Sequence, residues 1–362
     1  MNATRPALRA SVMVFEGDGD DLHFLLTSSS VRKTFTVDPI ARRMVGLLDG
    51  TRTVPELESQ LRDAPGYTDG YVNDLLDVLH DEDLLASPTS GSDMARLSPA
   101  ERERYSRQLS LLEELSREAG ISASGASLQA ALRTATVVVI GTGGLGSWAL
   151  LSLAAAGVGH VVVCDPDTVE LSNLNRQVLF GASDAGRPKA EVAAERLTAI
   201  DPSITVDTAH LAVSGPDDVG SLADGADLVI NCADRPSVAL TSDWVSAACL
   251  AREIPHIVGG AYAFHVGSLP LTVLPGRTSC WQCARDDVGG ETREMIGGRP
   301  GAGPSLAMFS AVTANIAAYD AVRVLIGLPP VTAGRLGEVD FRTLAIRWRE
   351  IPSPCSHVRS AR

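Results

Sequence analysis

Aromatic residues are scarce in this sequence. Phenylalanine, tyrosine and tryptophan make up only 4% of the 362 residues, although 45% of all residues are hydrophobic. A chain of this hydrophobic content can bury a sizeable core, but aliphatic side chains and alanine must fill it. The length predicts two or three domains.

The sequence also lacks an excess of basic residues and any long apolar run. The formal net charge is −13, which argues against a nucleic-acid partner because non-specific binding needs a basic face. No run of about 18 consecutive apolar residues occurs, so we expect no transmembrane helix and no membrane partner. The first 20 residues lack the apolar segment of a signal peptide. We therefore expect a cytoplasmic protein.

Residues 1–87 have the pattern of a small α+β domain. Asp38 followed by Pro39 predicts the start of one helix, and the capping-box pattern from Thr53 predicts a second. A third helix is predicted over residues 70–85. Three short strands precede these helices, at residues 11–15, 22–27 and 31–37. This order predicts a winged-helix-like domain, and the small polar residues of 88–99 predict a linker.

Residues 100–362 have the pattern of a second, α/β domain that starts with an amphipathic helix over 99–118. Apolar strands alternate with helices such as 189–199 and 241–252. The predicted strands are 137–140, 160–165, 204–208, 227–231, 255–259 and 268–274. This alternation predicts a Rossmann-like, doubly wound and mostly parallel sheet.

A glycine loop, residues 141–147, follows the first of these strands and opens a helix. Its glycines, which allow close approach to a phosphate, are Gly141, Gly143, Gly144 and Gly146. Asp165 ends the next strand, about 20 residues further on, where an acid can bind both ribose hydroxyls. The helix N-terminus would stabilise the negative charge of the ligand. The pattern predicts a nucleotide site.

A group of donors after Asp165 distinguishes this site from that of a dehydrogenase. We call it the donor cluster; it consists of Asn173, Arg176, Gln177 and Lys189. Such donors suit a triphosphate, whose charge must be held and then lost as pyrophosphate. Hydride transfer needs no such group.

These motifs resemble the ThiF/MoeB family of ubiquitin-activating-like adenylating enzymes, which serve molybdopterin, thiamine and peptide natural-product pathways. The resemblance covers about residues 100–357. It depends on R-Y-S-R-Q (104–108), G-T-G-G-L-G-S (141–147), D-P-D-T-V-E-L-S-N-L-N-R-Q (165–177), G-R-P-K (186–189), C-A-D (232–234) and C-W-Q-C (280–283).

The resemblance implies an ATP-dependent adenylyltransferase. Asp165 would bind ribose, the donor cluster would hold the triphosphate, and Asp234 would hold Mg²⁺. Arg107 would reach the phosphate site of a partner subunit, which implies a homodimer. The implied catalytic residues are Arg107, Arg176, Lys189 and Asp234.

Two departures from the family pattern affect the expected chemistry. The residues around Asp234, from Asn231 to Arg235, differ from the pattern D-x-x-D-N, so the surroundings of the substrate carboxylate are open. Residues 284–304 contain no cysteine, whereas the family often has one there that takes the acyl group or sulfur.

Cys280 and Cys283 have the C-x-x-C spacing of a zinc knuckle. Similar proteins complete the site with a second C-x-x-C near the C-terminus, but this chain has Cys355 and then His357. We expect a structural Cys₃His zinc site formed by these four residues. The alternative is a chain that has lost the metal and kept the cysteines.

Residues 9–87 resemble the PqqD-like domains that recognise leader peptides. Together, the two resemblances imply adenylation of the C-terminal carboxylate of a ribosomally made precursor peptide, as in adenylyltransferases of the microcin C type. One alternative is a sulfur-carrier-protein adenylyltransferase of a cofactor pathway. Another is a non-catalytic leader-binding partner of a cyclodehydratase.

Overall fold

The computed structural model describes residues 5–86, 91–121, 123–287, 305–352, 355 and 357. The chain divides into two compact units, Met1–Ala130 and Ala131–Arg362. Residues 88–90 of the expected linker, and residues 288–304 of the segment without cysteine, lie outside the described residues. None of the helices in the described part of the chain is long and apolar enough to cross a membrane.

The first unit begins with three antiparallel strands in the order β1-β2-β3. They are β1 (Val12–Glu16), β2 (Asp21–Leu26) and β3 (Val31–Thr36). Its helices are α1 (Pro39–Val45), α2 (Val54–Leu61), α3 (Tyr71–Asp81), α4 (Gly91–Ala95), α5 (Pro99–Arg104) and α6 (Ser106–Glu118), and α7 (Gly125–Thr134) crosses the boundary. The three strands predicted for this region are therefore confirmed.

Alternation along β2 buries Leu22, Phe24 and Leu26 in one core with the apolar faces of α1–α3. The predicted helix starts are confirmed. The Asp38 carboxylate accepts hydrogen bonds from two backbone N–H groups of α1, and Thr53 forms a complete capping box with Glu56. These caps satisfy backbone donors that the first turn of a helix leaves without partners.

The single helix predicted over residues 99–118 is wrong, because the chain breaks at Tyr105 into α5 and α6. Tyr105 has φ −97° and ψ 8°, outside the helical region, and its side chain is buried. The structure also places α6 in the first unit. The buried Arg9 guanidinium, just before β1, donates to both carboxylate oxygens of Glu114 on α6. A buried charge left without its partner is costly, so this pair stabilises the packing of α6 on the N-terminal elements.

The second unit contains an eight-stranded sheet with the order β11-β10-β9-β8-β7-β4-β5-β6. Its strands are β4 (Thr136–Ile140), β5 (His160–Cys164), β6 (Thr205–Ala209), β7 (Leu228–Asn231), β8 (His256–Ala263), β9 (Val266–Val273), β10 (Arg335–Asp340) and β11 (Ala345–Glu350). Its helices are α8 (Gly144–Ala156), α9 (Lys189–Ile200), α10 (Pro216–Leu222), α11 (Val238–Ala251) and α12 (Ala307–Leu325), and residues 281–287 are also helical.

The five neighbouring strands β6, β5, β4, β7 and β8 are parallel to one another. Strands β9, β10 and β11 extend the sheet beyond β8, each antiparallel to its neighbour. The predicted Rossmann-like, mostly parallel α/β fold is confirmed, as are its six strands. Residues 137–140 of β4 are buried on both faces, since one apolar core lies on each side of the sheet. The long helix α12 and the hairpin β10–β11 were not predicted from the sequence.

Candidate active site

The candidate active site lies at the point in the sheet where the strand order reverses along the chain. The chain runs from β4 to β5 and β6 on one side, then returns to place β7 on the other side of β4. The carboxyl ends of β4 and β7 therefore flank the crevice in which open α/β sheets bind ligands. The glycine loop follows β4, and Asp234 lies in the loop after β7.

Two glycines of the loop are required by close backbone packing. Gly141 has φ +90°, and a Cβ there would lie 2.8 Å from the backbone of Cys232 and Ala233. A Cβ on Gly146 would lie 1.8 Å from the carbonyl oxygen of Gly141. Helix α8 then starts at Gly144, with no side chain capping its N-terminus. Backbone donors at this position suit an anion.

Asp165 is buried and holds the glycine loop onto the end of β5. Its Oδ2 accepts hydrogen bonds of 2.6 Å from both the backbone N–H and the hydroxyl of Thr142. Its Oδ1 accepts a 2.8 Å hydrogen bond from the backbone N–H of Asp167. Each carboxylate oxygen has about two acceptor positions, so Oδ1 can accept one further hydrogen bond. The role of Asp165 in holding the loop was not predicted.

Gln177 provides an observation that points to a ligand. Its side chain is only 3% exposed, yet its Oε1 has no hydrogen-bond partner within the described part of the chain. The Nε2 atom lies 3.9 Å from the position that a Cβ on Gly143 would take. Buried polar atoms are almost always satisfied, so a donor on a bound nucleotide fits beside this amide.

Arg176 and Asn173 lie on the same turn as Gln177. The carbonyl of Asn173 accepts hydrogen bonds from the backbone N–H groups of Arg176 and Gln177, and its Oδ1 accepts one from the N–H of Glu170. Asn173 therefore shapes this turn. The aliphatic part of Arg176 lies against Gly144, its Cδ 3.4 Å from the position of a Cβ there. The structure thus brings the aliphatic stem of the predicted arginine against the glycine loop.

Lys189, the last member of the donor cluster, is buried at the first residue of α9. Its Nζ lies 3.1 Å from Oδ2 of Asp167, and Arg235 lies 3.7 Å from Oδ1 of the same carboxylate. Asp167 therefore holds the ammonium group in place, a role that was not predicted. The signal was present in the sequence, because Asp167 follows Asp165 within the quoted motif.

Asp234 is exposed at the carboxyl end of β7. Asn231, at the end of that strand, shapes the loop: its amide donates 3.0 Å hydrogen bonds to Thr241 and Ser242, and its Oδ1 accepts from the N–H of Ala233. An exposed carboxylate on this edge of the sheet suits Mg²⁺, which prefers oxygen ligands and retains several waters. Arg107, by contrast, is an exposed residue of α6 in the first unit.

The four predicted zinc ligands are close together. Cys283 Sγ lies 3.8 Å from Cys280 Sγ, 3.5 Å from Cys355 Sγ and 3.3 Å from His357 Nδ1. All four ligand atoms lie within 4.8 Å of one another. Ligands of a tetrahedral zinc ion stand about 3.5–3.8 Å apart. The Nε2 atom of His357 lies 3.7 Å from Oδ2 of Asp286, a carboxylate that suits the outer side of a metal-bound imidazole. We name these four residues the Cys₃His cluster.

The remaining cysteines, Cys164, Cys232 and Cys249, do not resemble nucleophiles. Burial raises the pKa of each of these thiols to about 12. Each is therefore a neutral thiol at pH 7, whereas the thiolate is the reactive form.

A family model described as the ThiF family matches residues 105–358. The chain belongs to the ThiF family. A relative of this chain is the sulfur carrier protein ThiS adenylyltransferase of Escherichia coli (strain K12). It is 34% identical over 249 residues, covering 67% of this chain and 91% of the relative. Like its relatives, this member of the ThiF family is an ATP-dependent adenylyltransferase.

Solved structures share the fold of this ThiF-family chain over nearly its whole length. The crystal structure of selenomethionine PaaA matches with a TM-score of 0.76 and 22% identity, covering 95% of this chain and 99% of PaaA. The structure of E. coli MccB with AMPCPP and MccA matches with a TM-score of 0.72 and 19% identity, covering 96% of this chain and 97% of MccB. MccB is described as a microcin C7 biosynthetic enzyme.

Proposed function

We propose that this adenylyltransferase activates the C-terminal carboxylate of a ribosomally made precursor peptide. The observation that carries the proposal is the extent of the structural match. The matched 96% of the chain leaves about 4% unmatched, so the match to MccB includes the N-terminal strands and helices. The match to the ThiS adenylyltransferase leaves about a third of this chain without a counterpart. The fold of the first unit is therefore a feature that this chain shares with MccB.

In the proposed reaction, a carboxylate oxygen of the peptide attacks the α-phosphorus of ATP. A P–O bond to the β-phosphate breaks, and the products are a peptidyl adenylate and pyrophosphate. The donor cluster would stabilise charge that develops on the leaving pyrophosphate, because fixed donors cost no reorganisation during the reaction. Asp234 would hold Mg²⁺, which neutralises part of the phosphate charge when bound.

A sulfur-carrier protein is the second candidate substrate. The 34% identity to the ThiS adenylyltransferase exceeds the identity to either solved structure, and this favours it. The first unit distinguishes the two candidate substrates. It would dock a precursor peptide, whereas adenylation of a carrier protein gives this unit no role in docking.

The first unit offers a surface for docking a peptide. Strand β3 is an edge strand, and the Nζ atom of Lys33 on β3 donates hydrogen bonds to the carbonyl and carboxylate of Glu82, directly after α3. Val31 on β3 and Val78 on α3 are both close to half exposed, at 46% and 48%. An edge strand beside exposed apolar side chains is the usual site of β-strand addition. We propose that this strand–helix edge binds the precursor peptide.

The full-length protein should therefore catalyse ATP–pyrophosphate exchange with the synthetic peptide encoded by a short reading frame beside the gene, and not with E. coli ThiS. Val78→Asp should weaken binding of that peptide at least about tenfold in fluorescence anisotropy, because it places a charge in an apolar contact. Met13→Asp is the matched control, since Met13 is equally exposed, at 49%, on the opposite edge strand β1.

Exchange supported by ThiS alone would assign the enzyme to a cofactor pathway. Equal loss of peptide binding in the Val78 and Met13 variants would place the docking surface elsewhere.

We also propose that the enzyme is a homodimer in which Arg107 completes the partner's phosphate site. Arg107→Ala and Lys189→Ala proteins should each be inactive alone. Mixed dimers contain one intact site, with Lys189 from one chain and Arg107 from the other, so mixing should restore about a quarter of the wild-type activity in a symmetric dimer.

The control for this complementation is a mixture of Arg176→Ala with Lys189→Ala. Both residues are proposed to act within the site of one chain, so every site in these mixed dimers lacks one of them and no activity should return. Failure of the Arg107 mixture, with subunit exchange verified by mass spectrometry, would show that Arg107 acts within its own chain or not at all.

A further inference from the structure

A closed network of contacts lies on one side of the glycine loop. Apart from Arg176 and Gly144, its members have no role in the proposed functions above. Four of its six links are hydrogen bonds, and three of these join residues 43 or more positions apart in the sequence. The network consists of Tyr262, Ser305, Asn175, Arg176, Gly144 and Ser310.

Tyr262, at the end of β8, joins two parts of the network. Its hydroxyl is hydrogen-bonded to the hydroxyl of Ser305, and at 2.6 Å to that of Ser310 on α12. Ser310 is fully buried, and its Oγ lies 2.8 Å from the position that a Cβ on Gly144 would take. One arm of the network thus ends on the first residue of helix α8.

The second arm ends on the guanidinium of Arg176. The side-chain amide of Asn175 donates a 3.4 Å hydrogen bond to the carbonyl of Ser305. The Oδ1 atom of the same amide accepts a 3.0 Å hydrogen bond from Arg176. Because the Arg176 stem also lies against Gly144, both arms meet at the N-terminus of α8.

We propose that Tyr262 is a positioning residue, whose hydroxyl orients the Arg176 guanidinium toward the phosphates through Ser305 and Asn175. The proposal rests on the proposed role of Arg176 as a triphosphate ligand. An arginine side chain has many conformations, and holding one of them in advance lowers the entropy lost when the ligand binds. Tyr262 needs no contact with the nucleotide for this effect.

Packing fixes the aromatic side chain of Tyr262 independently of its hydroxyl. Phe309 packs edge-on against it, with ring centroids 6.2 Å apart, and Phe341 stacks on Phe309 at 4.0 Å. Tyr262→Phe therefore removes the two hydrogen bonds and keeps the aromatic contacts. It is the variant that isolates the hydroxyl.

The test is isothermal titration of the full-length protein with α,β-methylene ATP and with AMP. Tyr262→Phe should weaken binding of the ATP analogue roughly tenfold, within the scale of losing one hydrogen bond, and leave AMP binding within about twofold. A merely structural defect would weaken both ligands alike. Asn175→Ala breaks the network at an exposed position and should reproduce the effect. Tyr319→Phe, at an exposed position on α12, is the matched control and should change neither affinity.

A double variant separates positioning from other effects. In an Arg176→Ala background, Tyr262→Phe should cause no further loss, because a residue that acts only through Arg176 has nothing left to orient. Additive losses would overturn the proposal. So would unchanged binding of the ATP analogue by both Tyr262→Phe and Asn175→Ala while Arg176→Ala binds weakly. Undiminished binding by Arg176→Ala would instead overturn the proposed triphosphate role of Arg176, and the role of Tyr262 with it.

Discussion

Arg176→Ala and Asp234→Ala should each lower kcat/KM for ATP–pyrophosphate exchange by at least about 100-fold, the scale of losing one charge contact in the transition state. The Arg176 side chain lies against the first residue of α8, where backbone donors favour phosphate. Asp234 is an exposed carboxylate on the same sheet edge. Exchange is measured with whichever substrate supports it in the wild-type enzyme. The two candidates are the synthetic peptide encoded by the short reading frame beside the gene and E. coli ThiS.

Conservative variants refine this expectation. Arg176→Lys keeps the charge but loses the planar fork of donors, so its activity should lie between those of the wild type and Arg176→Ala. Asp234→Asn keeps the size of the side chain and should raise the Mg²⁺ concentration needed for half-maximal exchange.

The matched controls are Arg196→Ala and Asp224→Ala. Arg196 pairs with Asp184 instead of facing the glycine loop, and Asp224 is an exposed carboxylate before β7. Both controls should retain activity within about threefold, as expected for surface substitutions away from the site. Activity near the wild-type level in both Arg176→Ala and Asp234→Ala would refute the assignment of the catalytic residues.

The second large effect is expected at the Cys₃His cluster. We propose that it holds one structural zinc ion per chain, because its four ligand atoms lie within 4.8 Å of one another and Cys₃His is a ligand set of structural zinc sites. Cys283→Ser removes the sulfur that lies within 3.8 Å of the other three ligand atoms. Zinc affinity should fall by more than the roughly 10–100-fold typical of losing an outer-shell partner.

Zinc content is measured by elemental analysis, and stability by the urea midpoint of unfolding. Both should fall in Cys283→Ser and in His357→Ala, because binding to a structural site contributes directly to folding. Cys249→Ser is the control, since Cys249 is a buried cysteine outside the cluster. The Cys249→Ser protein should contain as much zinc as the wild type, even if its urea midpoint changes. Unchanged zinc content in His357→Ala would remove that residue from the site, and wild-type protein without zinc would refute the metal assignment.

The sequence by itself determined the fold class and the position of the glycine loop, and it predicted the donor cluster. These features could be predicted because they are local. A strand, a tight turn and a helix start lie within a few residues of one another, and the donor cluster follows Asp165 along one continuous segment. Buried parallel strands such as β4 and β7 could also be predicted, since they form short apolar runs. The Cys₃His cluster joins the pair Cys280 and Cys283 to residues 72 or more positions further on, and only the resemblance to a family brought the two pairs together.

Only the tertiary structure decided how these groups are held. Asp165 satisfies the donors of Thr142, Asp167 pairs with Lys189, and Tyr262 connects to Arg176 through a serine and an asparagine. Helix α12, which supplies Ser310, and the hairpin β10–β11 were not predicted at all. The physical reason is that a hydrogen bond depends on distance and direction within a few tenths of an ångström, which packing of remote elements sets. Residue type and spacing along the chain specify which groups are available, and the folded sheet selects which of them meet.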